Sequence, residues 1–152
     1  MTKHTAEALK KLQHVPPSKP QHSPAKHAIP THGAKALCAD DSEQFEPILG
    51  DDSIKHVQRA VGIVLHCAIA LDNTYLMALS DIAAAQSKAT KSTMDALKHL
   101  LDYLATHQKA ETRHKENPIV LHAHSNGSYL SEPKARSRAA GYFFLSDNPT
   151  QP

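Results

Sequence analysis

Histidine is the residue type in this chain best supplied for chemistry: there are twelve in 152 residues. Alternate residues of a strand share a face, so His122 and His124 would present two imidazoles side by side. A structural or catalytic zinc site needs three or four ligands, and no Cys-x-x-Cys or second histidine pair at ligand spacing accompanies these two. The expectation is therefore solvated or packed histidines, with metal: none. A zinc-dependent hydrolase is the weaker alternative, to be excluded if metal analysis of the purified protein finds no stoichiometric zinc. His66 and Cys67 offer a base beside a nucleophile, but neighbours on a helix point about 100° apart and cannot share a proton. Lys134, Arg136 and Arg138 alternate near the end of the chain. They are the best nucleic-acid candidates, because alternate cations could meet successive phosphates, although a solvated loop is the ordinary use of such a cluster.

The charge around these residues is arranged in blocks. Residues 1–35 hold six lysines against one glutamate, residues 36–52 hold six acids and no Lys or Arg, and the formal net charge is only +2. A total so small does not argue for nucleic-acid binding by itself. Two cysteines 29 apart, Cys38 and Cys67, do not make a secreted disulfide framework. No N-terminal apolar leader and no 18-residue apolar run is present, so a soluble, intracellular and most simply cytoplasmic protein without membrane partners is expected.

Aromatics are 5% and Trp is absent, so Ala, Leu, Ile and Val must build the core, which favours helices. Residues 5–13 (TAEALKKLQ) put Ala8, Leu9 and Leu12 on one side of a short helix that Pro16 and Pro17 should end. Five prolines between residues 15 and 31 leave too little apolar surface to offset chain ordering, and the acidic stretch 39–52 lacks periodicity. Residues 15–52 therefore read as a linker, disordered or a connector.

From Ser53 the spacing of Ile54, Val57, Val61, Val64, Leu65 and Ala68 predicts a helix, with residues 51–53 capping it. Asp72, Asn73 and Thr74 interrupt the pattern and cap a second helix carrying Tyr75, Leu76, Leu79, Ile82 and Ala83. A third is predicted over 91–107, with Met94, Leu97, Leu101 and Leu104 as its seam and Lys98 and Asp102 one turn apart outside it. Residues 53–107 thus form a helical bundle. After residue 117 the apolar period becomes two: Ile119, Leu121 and Ala123 face one way, Val120, His122 and His124 the other. Asn126-Gly127 is a local hairpin-turn signal, but a later turn near Pro133 separates the two apolar runs better, with 141–145 as the second strand. The fold class is α+β, mainly α: a short helix (1–14), a linker (15–52), a three-helix bundle (53–107), a β-hairpin (118–146) and a tail (147–152).

Residues 125–128 (SNGS), 131–141 (SEPKARSRAAG) and 142–145 (YFFL) together resemble the opening of the ribonuclease H domain in copia-type retrotransposon polyproteins. There a Ser-Asp-Ala/Gly-Ser run ends the first strand, followed by Ser-x-Pro-x-Ala-Arg-Ser-x-Ala-Gly and an aromatic strand. The resemblance extends upstream. Residues 1–35 resemble the segment after the polymerase palm, and residues 59–68 (RAVGIVLHCA) resemble a run reading roughly Val-Gly-x-Leu-Leu-Tyr-x-Ala. Residues 87–90 (SKAT) and 100–107 (LLDYLATH) resemble the helix before the nuclease strand. The chain departs from the family at His66 and Cys67, where aromatics are usual, and it holds no Tyr-x-Asp-Asp polymerase motif.

The resemblance implies that Asn126 stands where the first metal-binding aspartate belongs. Two-metal phosphodiester hydrolysis needs clustered carboxylates around ions about 4 Å apart, and an amide offers magnesium only a neutral oxygen. Downstream of Asn126 the sequence to Pro152 holds only Glu132 and Asp147 as acids. The resemblance therefore implies a truncated piece of the thumb and connection region plus the first ribonuclease H hairpin: no enzyme, catalytic residues none, cofactor none. The parent would use Mg2+ for RNA-directed DNA synthesis and hybrid cleavage. The turn bearing Lys134, Arg136 and Arg138 would lie beside an RNA/DNA hybrid, giving weak backbone contact. The alternative is a non-catalytic helical interaction module, self-associating or packing on the element's polymerase.

Overall fold

The computed structural model describes residues 2–26, 46–109, 116, 120–127, 137 and 139–148. The fold is mixed α+β and mainly helical, and it divides into a helical unit and a second unit that holds a two-stranded antiparallel hairpin. No described helix is long and apolar enough to cross a membrane.

α1 spans Thr2–Lys11. It ends well before the first proline: Gln13 adopts φ 54°, the Gln13 amide donates to Lys10 O at 3.0 Å, and the His14 amide donates to Leu9 O at 3.0 Å. This paired bonding around a left-handed residue satisfies carbonyls that the last turn leaves free. The prolines therefore follow the stop rather than impose it.

α2 (Asp51–Ala70) starts two residues earlier than predicted. Its N-cap is Gly50, with no side-chain cap; Asp51 and Asp52 lie inside the first turn, where carboxylates complement the helix dipole. The buried stripe is Val57, Ala60, Val61, Val64, Cys67 and Ala68. Leu65, expected inside, is exposed, because it sits about 100° around the helix from Val64. Asp72 then caps as predicted, its Oδ1 accepting from the Thr74 amide at 3.0 Å and the Thr74 hydroxyl at 2.6 Å.

α3 (Leu76–Ala85) follows a single 3-10 turn and buries Ala78, Leu79 and Ile82, while Leu76 faces out. A second 3-10 turn leads to Thr90, which forms a capping box with Thr93 at the start of α4 (Lys91–Thr106). The seam of α4 is Leu97, Leu100, Leu101 and Leu104, with Met94 only partly buried.

α2 packs against α3, α3 against α4, α4 against α1 and α1 back against α2. The expected bundle of three helices is thus a ring of four, and Leu9 and Leu12 join its core with Val57, Val64, Tyr75, Leu79, Leu97 and Leu100. Two parts of the expected linker are fastened to this ring. Residues 15–26 run along α4, where the Gln21 amide donates to Thr106 Oγ1 at 3.0 Å and Gln21 Nε2 donates to His99 Nε2 at 3.1 Å. His22 and His107 pack edge to face with ring centroids 5.3 Å apart. Residues 46–50 lie against the start of α4 through an Ile48–Thr90 bridge and a 2.8 Å bond from the Leu49 amide to Ala89 O. The rest of the expected linker, residues 27–45, lies outside the described residues.

In the second unit β1 (Leu121–Gly127) pairs antiparallel with β2 (Ala139–Leu145), from Leu121 opposite Leu145 to Gly127 opposite Ala139. β1 runs straight through Asn126 and Gly127, so these two residues are strand, and the connection falls between residues 127 and 139. The tight turn at Asn126-Gly127 is therefore not formed, and Pro133, where the later turn is expected, lies outside the described residues. Alternation decides this: a tight turn at Asn126-Gly127 would leave the aromatic run without a partner strand.

Candidate functional site

Alternation along the two strands sorts the hairpin into two faces. One carries His122, His124 and Asn126 from β1 with Ala140, Tyr142 and Phe144 from β2; the other carries Leu121, Ala123, Ser125, Gly141, Phe143 and Leu145.

On the first face both histidines pack on one ring. His122 stacks on Phe144 with centroids 5.2 Å apart and planes 27° apart, and His124 lies 5.4 Å from the same ring. Tyr142 extends the cluster at 5.3 Å from Phe144. His122 Nε2 donates to Ser146 O at 3.0 Å, so that nitrogen carries its hydrogen and faces a carbonyl. The histidine pair therefore shares a face as expected, but its members serve as packed aromatic surface. Among the described residues no group of three or more His, Cys, Asp or Glu is placed to hold a metal ion.

Asn126 is exposed at the end of this face, opposite Ala140. Its neighbours two residues along and across the ladder are His124, Ala140 and Tyr142, none of them acidic. Lys134, Arg136 and Arg138, the expected phosphate contacts, lie outside the described residues, as do Pro133 and Glu132. The second face is apolar and open: Leu121 and Phe143 are each 66% exposed and Leu145 is 47% exposed. The Phe143 ring lies over Gly141, where an added Cβ would meet its edge at 2.9 Å.

His66 is exposed and Cys67 buried, which removes them from common chemistry as the helix geometry demands. Burial pushes the Cys67 thiol up, away from the reactive thiolate. Burial likewise pushes the Tyr75 phenol up, so it stays protonated in the core.

Sequence reasoning missed a cleft of about 430 Å³ in the helical unit. Its apolar wall is Ala78, Ile82, Ala85 and Ala96, and Asp81, Asp95 and His99 stand around it, with residues 24–26 forming one side. The only signal for it was small: alanines at 78, 85 and 96 leave room between α3 and α4 where larger side chains would interdigitate. His99 already accepts from Gln21, so this imidazole positions the N-terminal segment.

Comparison of the chain with protein-family models, with curated proteins and with solved structures found no match.

Proposed function

We propose that this chain is a non-catalytic piece of a copia-type retrotransposon polyprotein, in which the helical ring corresponds to the thumb and connection region of a reverse transcriptase and the hairpin to the first two strands of its ribonuclease H. The observation that carries the proposal is the position of Asn126: a strand passes through it, as the resemblance requires, and its side chain is a neutral amide without acidic neighbours among the described residues of its face. Magnesium binds hard anionic oxygens, so this position cannot take the share of charge that two-metal hydrolysis needs. The parent would use Mg2+; the piece uses no cofactor. It would act in the cytoplasm as a weak ligand of RNA or DNA backbone through Lys134, Arg136 and Arg138.

Purified protein incubated with a labelled RNA/DNA hybrid and magnesium should give no cleavage above buffer. Robust cleavage that disappears on chelation would overturn the proposal. Replacing Lys134, Arg136 and Arg138 by alanine should weaken hybrid binding and reduce the slope of log K against log salt by about 1 for each phosphate no longer neutralised.

The open apolar face of the hairpin favours a second reading, a helical interaction module that associates with itself or with the element's polymerase. A lone two-stranded sheet is marginal in water, and neither strand carries a fixed charge of the kind that blocks edge-to-edge pairing. Light scattering after size-exclusion chromatography separates the two, since a clean monomer at all concentrations would sink self-association.

A further inference from the structure

Asn126 and Gly127 close β1, and their place in the ladder exposes them to a reaction on themselves. The Ser146 amide donates to Val120 O at 3.1 Å, just beyond the Leu121–Leu145 pair. Bonded and non-bonded pairs alternate along an antiparallel ladder. Leu121–Leu145 is therefore a non-bonded pair, Asn126–Ala140 a bonded one, and Gly127–Ala139 non-bonded again. The Gly127 amide consequently points away from β2. Both residues are exposed, and glycine has no Cβ to crowd an approach to its nitrogen.

We propose that Asn126 is a site of spontaneous deamidation. The Gly127 amide nitrogen, giving its proton to a solvent base, attacks Asn126 Cγ. The Cγ–Nδ2 bond breaks, and the side-chain nitrogen takes a proton and leaves as ammonia. Water then opens the five-membered imide at either carbonyl, leaving aspartate or isoaspartate. One water is consumed and one ammonia released. Ring closure requires the Asn126 side chain to swing toward the backbone, which the ladder resists, but Gly127–Ala139 is the terminal pair and opens most readily.

The other asparagines lack this chemistry. Asn117 and Asn148 precede proline, which has no N–H to attack with, and Asn73 precedes the β-branched Thr74 within a 3-10 turn. The product would put the first fixed negative charge on the face shared with His122 and His124. The isoaspartyl form would also lengthen the backbone by one atom and break the last pair of the hairpin. Deamidation needs only the register and the Asn-Gly sequence, so it stands apart from the retrotransposon proposal.

The test is incubation of the full chain in mildly alkaline buffer for days, followed by tryptic mass spectrometry and isoaspartate detection. The tryptic peptide of residues 116–134, which holds both Asn117 and Asn126, should become one dalton heavier at a rate proportional to hydroxide, with fragment ions placing the gain at Asn126, while the peptides carrying Asn73 and Asn148 do not change. Gly127→Ala should slow the conversion severalfold and Asn126→Gln should abolish it. An unchanged Asn126 in the folded chain, while a free peptide of residues 120–134 converts under the same conditions, would overturn the proposal. So would conversion of Asn73 at an equal rate.

Discussion

His14 Nε2 lies 2.8 Å from Asp102 Oδ1 although 88 residues separate them, and their side chains are only 8% and 14% exposed. The pair fastens the residue that closes α1 to α4. Asp102 also receives Lys98 Nζ on its other oxygen at 2.7 Å, but that lysine is 66% exposed. Asp102→Ala should therefore cost roughly 1.5–3 kcal/mol in urea unfolding, the scale of a hydrogen bond to a charged group with little water access. Lys98→Ala should cost no more than about 0.5 kcal/mol. A double-mutant cycle between His14 and Asp102 should show coupling of at least about 0.5 kcal/mol, and additivity would mean that the pair does not form in solution.

Leu100 is fully buried where the four helices meet, whereas Leu65 is 40% exposed on the flank of α2. Leu100→Ala should lower stability by about 2–5 kcal/mol through lost burial and the cavity it leaves. Leu65→Ala, chemically the same deletion, should stay below about 1 kcal/mol, and equal losses in calorimetry would contradict the assigned face of α2.

Two substitutions should stabilise. Gly62 sits inside α2 with nothing within 4 Å of where a Cβ would go, so Gly62→Ala should add about 1 kcal/mol through helix propensity alone. Gln13 holds a left-handed backbone at the end of α1, and Gln13→Gly should relieve about 1 kcal/mol of Cβ strain. A fall in melting temperature for either would argue against the local backbone described.

Glu46 Oε2 accepts from the Ser92 amide at 2.9 Å, in the first turn of α4. That bond, more than any nearby charge, holds the Glu46 carboxyl below its ordinary value. A carboxyl depressed in the folded state contributes above its unfolded pKa, and the contribution is lost as pH falls through the folded value. Protection of the Ser92 amide from hydrogen exchange, corrected for intrinsic rates, should therefore fall as the solution is acidified through the lower carboxylate range. In Glu46→Gln that pH dependence should vanish; if it persists, another group controls this end of the helix.

How much was legible in the residues differs from element to element. α4 could be bounded to within a residue because its apolar spacing and the Lys98–Asp102 pair lie within a few turns of one another. The stripe of α2 was legible along Val57, Val61 and Val64. Its edges were not, since Leu65 and Cys67 differ only in which side of the stripe a neighbouring helix covers. Asn126-Gly127 is the sharpest case. Local turn chemistry and strand alternation disagree there, and alternation prevails because it governs fourteen paired residues against two.

The sequence alone determined what short-range physics controls: helix and strand periods, the Asp72 cap and the two strands of the hairpin. Tertiary structure alone decided that α1 completes a ring of four helices, that residues 15–26 lie along α4, and that α3 and α4 leave a cleft. Each of these depends on packing between residues far apart in the chain. A periodic pattern marks which side of a helix avoids water, but it does not carry the address of the surface that covers it.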